Sequence, residues 1–132
     1  MVTFLNPPDV HTPVGTYSHT ALVPGGTELL FISGQVGVRP DGSTPTTVAE
    51  QAEQVFANMS ALLSAHGVDA TALVKLTMFV VAGQDLQPVR AARSKFLGAH
   101  RPASTAVFVP ALVDPALLVE VEAVAVAVTA RR

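Results

Sequence analysis

The sequence predicts an α+β domain, because two amphipathic helical patterns alternate with five apolar, β-rich segments. These elements follow the order β-β-α-β-α-β-β, which favours an antiparallel or mixed sheet with both helices packed on one face. No stretch has the composition of a linker, so residues 1–132 are expected to form one domain.

Two strands are predicted before the first helix. Residues 1–16 contain three prolines and are expected to be extended rather than helical. Residues 17–23 and 28–36 are rich in β-forming side chains, and the Pro-Gly-Gly sequence between them predicts a hairpin. Residues 29–32 are apolar on both faces, so the second of these strands is expected to be central in its sheet.

The first helix is the clearest element in the sequence. Thr47 and Glu50 match a capping box at its start, and Gly67 follows His66 where a C′ glycine is expected. Apolar residues recur between these ends at helical spacing: Val48, Ala52, Val55, Phe56, Met59, Leu62 and Leu63.

The second half holds one more helix and three strands. Residues 73–81 indicate a buried strand, and residues 86–100 indicate a helix capped by Asp85, with a proline tolerated in its first turn. Residues 104–110 and 117–128 are predicted to form a second hairpin, with a turn at Asp114-Pro115.

The last strand indicates self-association. Its two faces are both largely apolar, although an antiparallel sheet that faces water should alternate between apolar and polar residues. Two helices can cover only one face, so a second copy of the chain is expected to cover the other. The excess of hydrophobic residues, 49% against 14% charged, agrees with a subunit interface.

Composition also excludes several classes of function. The net charge of −2 and the scattered basic residues argue against a nucleic-acid partner. No apolar run reaches the roughly 18 residues of a membrane span, and the N-terminus lacks a secretory n-region. The chain has no cysteine, which fits a reducing compartment such as the cytoplasm.

Few side chains are candidates for chemistry. The four histidines have no metal-ligand spacing, so no metal site is expected, and His66 and His100 are interpreted as helix-closing residues. Glu120 and Glu122 lie on one face of an apolar strand, where they are either paired with arginines at a sheet edge or held in a small-molecule pocket. Tyr17, the only tyrosine, is by itself an ordinary core-edge residue.

Five motifs in register give the sequence a resemblance to the RidA/YjgF family of reactive-intermediate deaminases. Residues 15–19 read Gly-Thr-Tyr-Ser-His and residues 31–35 read Phe-Ile-Ser-Gly-Gln. Asn58 in the first helix, the Pro-Ala pair at 102–103 and Val-Glu-Val-Glu-Ala at 119–123 follow in the same order. The resemblance extends from about residue 11 to residue 128.

The resemblance implies a chorismate-mutase-like fold assembled as a homotrimer, with small-molecule clefts between subunits. It implies hydrolysis of reactive imines or enamines to a carbonyl compound and ammonia, without a cofactor. By matching position, Glu120 and Tyr17 would be the catalytic residues. Ser33 and Gly34 would bind the substrate.

One family residue is absent. Members with deaminase activity bind the substrate carboxylate through an arginine after the Pro-Ala pair, but this chain has Ser104 there, followed by Thr105. Loss of one charge-assisted contact costs about 1.5–3 kcal/mol. Arg90 departs from the asparagine of many relatives and shares a helix face with Arg93. The two are either solvated, or Arg90 supplies the missing charge.

Three functions therefore remain open. The first is imine or enamine hydrolysis with a substrate preference altered by Ser104. The second is a non-catalytic trimer that binds a small metabolite in the same cleft. Ribonuclease action or a chaperone-like role, both proposed for members of the family, is the third, although the charge pattern offers no groove for a phosphate backbone.

Overall fold

The computed structural model describes residues 1–127 as two helices and six strands. In chain order the elements are β1 (Thr3–Leu5), β2 (Thr20–Leu22), β3 (Glu28–Val36), α1 (Val48–Ala65), β4 (Leu73–Val81), α2 (Gln87–Leu97), β5 (Ala103–Val109) and β6 (Val119–Ala127). A single 3₁₀ turn, Ala70–Ala72, leads into β4. The predicted end of the last strand at Val128 lies outside the described residues.

The strands form a small sheet and a larger, mixed one. β1 and β2 pair antiparallel, and the four-stranded sheet has the order β3-β6-β4-β5. Only β4 and β5 are parallel there, because α2 makes the crossover that a parallel connection needs. The α+β class and the mixed sheet predicted from the sequence are confirmed.

Both predicted hairpins are wrong. β2 pairs with β1 instead of β3, so the turn at Pro24–Gly26 carries the chain from one sheet to the other. The turn at Asp114 forms, with the backbone N–H of Ala116 donating to its side chain, but it does not join neighbouring strands. Instead β6 lies between β3 and β4 and pairs antiparallel with both of them.

The prediction of a central β3 is also wrong within the described sheet, where β3 is an edge strand. Its outward side chains Leu29 and Phe31 are 49% and 72% exposed. The apolar residues on both faces therefore reflect an uncovered outer face and not a position between two strands. β4, predicted to be buried, does lie between two strands, and its bounds are those expected.

The core lies between the sheet and the two helices. Alternate residues of β6 from Val119 to Ala125 are buried on the helix side, together with Leu76 and Met78 of β4. α1 contributes Val55 and Met59 to the same cluster. Both helices therefore cover one face, as predicted, and the other face of the sheet has no covering layer within residues 1–127.

The ends of α1 follow the predicted signals. Thr47 Oγ1 accepts the backbone N–H of Glu50, and the Glu50 carboxylate accepts the Thr47 hydroxyl. Gly67 takes a φ of 74°, a left-handed conformation that favours glycine, and closes the helix after His66.

α2 is shorter than predicted. It ends at Leu97, because Gly98 adopts a φ of 58°, so the expected extension to His100 is wrong. Asp85 nevertheless accepts the backbone N–H of Gln87 at the start of the helix. The His100 ring bonds the backbone O of Leu73, 2.7 Å away, and therefore ties the helix exit to β4 instead of closing α2.

Candidate functional site

Glu120 lies on the outer face of the sheet, directly against the backbone of Gly34. A Cβ atom on Gly34 would overlap the Glu120 carboxylate and lie 2.8 Å from its Cδ, so any other residue at 34 would displace the carboxylate from this position. The register of β3 shifts between Ile32 and Gln35, and Ser33 and Gly34 have no partner residue on β6. The carboxylate therefore sits over a strand irregularity, a feature enriched beside active sites.

Two polar residues of α1 hold this part of the sheet in place. Asn58 Nδ2 donates to the backbone O of Val36 and of Val38, at 3.1 and 3.0 Å. Gln51 is completely buried, and its amide joins the segment before α1 to the segment before β6. Its Oε1 accepts the backbone N–H of Leu118, two residues before Glu120.

Gly37 lets α1 approach this closely. A Cβ atom on Gly37 would lie 2.7 Å from the Cα of Gln51, a distance that real side chains do not show. The end of β3 and the start of β6 are therefore both anchored to one turn of α1, which positions Gly34 and Glu120 relative to each other.

The Glu120 carboxylate makes no hydrogen bond or ion pair with another described residue, and the same holds for Glu122. The interpretation of these two as a sheet-edge pair bridged to arginines therefore has no support within residues 1–127. Glu122 instead borders a shallow outer-face pocket of about 230 Å³ with Phe31 and Lys75.

Tyr17 lies at the opposite edge of the sheet. The next residue, Ser18, forms a parallel bridge to Ala103, and its backbone N–H donates to the backbone O of Pro102 at 3.1 Å. The Tyr17 ring contacts the His19 ring edge-on, and its hydroxyl accepts the backbone N–H of Val14. The segment carrying Tyr17 thus extends the sheet beyond β5.

Ser104 and Thr105 point to different faces of β5. Ser104 is level with Leu76, a core residue, and its hydroxyl is buried without a hydrogen-bond partner among the described residues. Thr105 is level with Thr77 on the outer face and accepts a hydrogen bond from Lys75 Nζ at 2.7 Å.

The two predicted arginines have different environments. Arg90 is exposed, as a solvated arginine would be. Arg93 is only 8% exposed, and its Nη2 donates to Thr16 Oγ1 at 2.9 Å. Burial lowers the pKa of the Arg93 guanidinium, and the positive charges of Arg90 and Arg101 lower it further. The interpretation of both arginines as solvated is wrong for Arg93.

Within one chain, the predicted site residues therefore lie in two separate groups. Glu120 lies with Ser33 and Gly34 around β3 and β6, whereas Tyr17 and Ser104 lie around β5, with β4 in between. Two strand spacings alone separate the groups by about 10 Å. Neither Arg90 nor Arg93 bonds a residue of the Glu120 group.

Two buried polar residues were not predicted from the sequence: Gln51 was not singled out, and Arg93 was expected to be solvated. Both had a readable signal, since each is a polar residue within the apolar stripe of its helix. Gln51 stands four residues before the buried Val55, and Arg93 stands four residues after the buried Val89. A polar side chain in such a position is buried, so it needs partners.

Within residues 1–127 no helix is long and apolar enough to cross a membrane, and no three acidic or histidine side chains cluster as metal ligands. The fold and the site together define a two-layer α+β protein with a carboxylate-bearing site on the uncovered face of its sheet.

The chain belongs to the RidA/YjgF family. The family model described as endoribonuclease L-PSP matches residues 9–127. A human protein named 2-iminobutanoate/2-iminopropanoate deaminase is 34% identical over 115 residues, covering 86% of this chain and 81% of the relative.

Solved structures agree with this assignment. A Rid-family protein of unknown function from Yersinia pestis, YyfB, superposes with a TM-score of 0.84 at 29% identity, over 95% of this chain and 98% of that one. RidA from the Antarctic bacterium Psychrobacter sp. gives a TM-score of 0.70 at 29% identity, over 94% and 98% of the two chains.

Proposed function

We propose that this protein hydrolyses a reactive imine or enamine metabolite to a carbonyl compound and ammonia. The observation that carries the proposal is the Glu120 carboxylate, which faces outward over Gly34 without a partner among the described residues. The name of the human relative, an iminobutanoate and iminopropanoate deaminase, supports the class of reaction.

In this reaction Glu120 is the acid–base group. Water adds to the carbon of the protonated C=N bond as the carboxylate accepts one of its protons, which gives a carbinolamine. The same carboxyl then returns a proton to the nitrogen. As the C–N bond breaks and ammonia leaves, the regenerated carboxylate accepts the hydroxyl proton, so that the carbonyl forms, and later releases that proton to solvent. An enamine first takes a proton on carbon to become the imine. No cofactor is required for these steps.

The complete cleft requires two subunits. Glu120, Ser33 and Gly34 lie around β3, and Tyr17 lies beyond β5 on the far side of the sheet. In our proposal, the Tyr17 segment of one subunit packs against the β3 region of the next, so that Tyr17 donates a hydrogen bond to the substrate beside Glu120. The exposed outer face supports this arrangement, because Phe31 and Val107 need a cover.

A ring of such contacts closes as a homotrimer, which is the assembly we propose. The partners of the chain are then further copies of itself and a small metabolite, with no role for nucleic acid or membrane. The absence of cysteine is compatible with a cytoplasmic location.

Ser104 is expected to alter the substrate preference. Its hydroxyl is buried on the core side of β5 and cannot neutralise a carboxylate as an arginine would. We therefore propose that imines without a carboxylate next to the reacting carbon are better substrates here than for the named deaminases.

A turnover assay tests the proposal. Imines are generated in place from a panel of amino acids and from uncharged amines, and the release of ammonia is followed with and without protein. We expect acceleration of at least one member of the panel. A protein that binds a panel member, is stabilised by it and returns it unchanged would instead be a metabolite-binding trimer.

The outer face gives a prediction for assembly. Phe31→Asp is expected to dissociate the trimer at micromolar concentration, because a charged carboxylate would replace an apolar ring in the proposed interface and would have to be desolvated there. Light scattering coupled to gel filtration measures the mass. The matched control is Val113→Asp, which changes a 95% exposed apolar residue in the loop before β6. A trimeric Phe31→Asp protein would contradict the proposed interface.

A further inference from the structure

Within residues 1–127, Arg93 is a buried positive charge without a negative partner. Its side chain is 8% exposed, yet its one hydrogen bond within the described chain goes to a neutral hydroxyl, that of Thr16. Its Nε is fully buried and bonds no described residue. No carboxylate of residues 1–127 forms an ion pair with it.

The surrounding charges make this arrangement costly. Buried charges in proteins are normally paired, since desolvation of a lone ion is expensive. The groups that act on Arg93 electrostatically are Arg90 on the same helix and Arg101 after it, and both are positive. Nη1 of Arg101 already donates to the backbone O of Gly98 and of His100, so this arginine is held in place.

A second unsatisfied group lies nearby in the fold. The Ser104 hydroxyl is buried and also lacks a described partner. Thr16, which bonds Arg93, is two residues before Ser18, and Ser18 bridges Ala103 directly before Ser104. Two unpaired buried donors thus flank the short segment that carries Tyr17.

We propose that Arg93, with Arg90 and Arg101 at its rim, forms a binding site for a small oxyanion, a carboxylate or a phosphate. An oxyanion accepts hydrogen bonds from a guanidinium in a planar, bidentate geometry and neutralises the local excess of positive charge. It would approach from the exposed side, where Arg90 stands, and reach Arg93 beside Thr16.

Within one chain this site is separate from the Glu120 group, and it does not depend on the deaminase proposal. Binding of an unreactive anion is measured without turnover, so the two proposals can fail independently. If Glu120→Gln protein retains anion binding while it loses activity, the two sites are distinct in function as well as in position.

The test is titration of the protein with sodium phosphate and, separately, with sodium acetate, each monitored by calorimetry and by thermal shift. Sodium chloride at equal ionic strength is the reference. We expect saturable binding of at least one of the two anions. The anion that binds more tightly shows whether the site prefers a carboxylate or a phosphate. Arg93→Gln should weaken that binding by about 10–100-fold, the loss of one charge-assisted contact.

The matched control is Lys95→Gln, which removes one exposed positive charge from the same helix and should change the affinity by less than about twofold. Arg90→Gln, an exposed change, should weaken binding by about three- to tenfold and covers the case of a poorly folded Arg93→Gln protein. The proposal is overturned if neither anion protects the protein more than chloride does. It is equally overturned if Lys95→Gln loses as much affinity as the Arg93 variant, or if Arg90→Gln leaves the affinity unchanged.

Discussion

Glu120→Gln is expected to lower the rate of imine hydrolysis by about 10²–10⁴-fold, the usual contribution of a positioned acid–base group. The amide keeps the shape of the side chain and its packing over Gly34, but it cannot accept a proton from water. We expect the loss in kcat, with KM changed little, because the carboxylate acts on the reacting atoms.

Glu122→Gln is the matched control for this experiment. It removes the same charge from the same strand and the same face, two residues further along, where the side chain is exposed. We expect its activity to remain within about threefold of the wild type, because this exposed carboxylate does not lie over Gly34 and does not act on the reacting atoms. A Glu120→Gln protein with near-normal kcat would remove the acid–base role, and equal losses in both variants would point to a general charge effect.

Helix α1 and strand β4 were predictable because their signals are local. The cap at Thr47, the C′ glycine at 67 and the apolar stripe between them lie within one segment and define α1 almost to the residue. The run of apolar residues in β4 likewise matches its observed bounds. Propensity and periodicity act over neighbouring residues, so they can be read without knowledge of the fold.

The strand order was not predictable in this way. Two runs joined by Pro-Gly-Gly look like a hairpin, yet β2 pairs with β1, and β3 pairs with β6 from the other end of the chain. The choice depends on which sheet face can pack against the helices, a property of the whole fold. The exposed Phe31 shows the same limit, since its apolar character indicates a partner layer that residues 1–127 do not supply.

The site was predictable only in part for the same reason. Glu120 stands out as a carboxylate in an apolar strand, and the glycine at 34 becomes meaningful once the register brings the two together. Only the family resemblance associated Tyr17 with them. Within one chain, Tyr17 lies at the far edge of the sheet. Gln51 was overlooked because a glutamine in a helix is ordinarily an exposed residue.

Gln51→Leu is expected to reduce the free energy of unfolding by about 3–5 kcal/mol. The wild-type amide donates to the backbone O of Pro45 and of Ala116, both at 2.9 Å, and accepts the backbone N–H of Leu118 at 2.8 Å. Leucine fills the space and removes the partner of these three backbone groups, one in a buried and two in part-buried hydrogen bonds. Each group that finds no water costs about 1–3 kcal/mol. Denaturant titration at one fixed protomer concentration measures the change, since an oligomer's stability depends on concentration.

Gln54→Leu separates the loss of these bonds from a general effect of leucine in α1. Gln54 is half-buried on the same helix, and its side chain makes one hydrogen bond within the described chain, from its Nε2 to Asn58 Oδ1 at 2.8 Å, so its replacement should cost about 1 kcal/mol or less. Because Gln51 also fixes Leu118, two residues before Glu120, the folded Gln51→Leu protein should lose kcat as well as stability. If its stability matches that of Gln54→Leu while its kcat is normal, then water satisfies the freed backbone groups and α1 does not position the carboxylate.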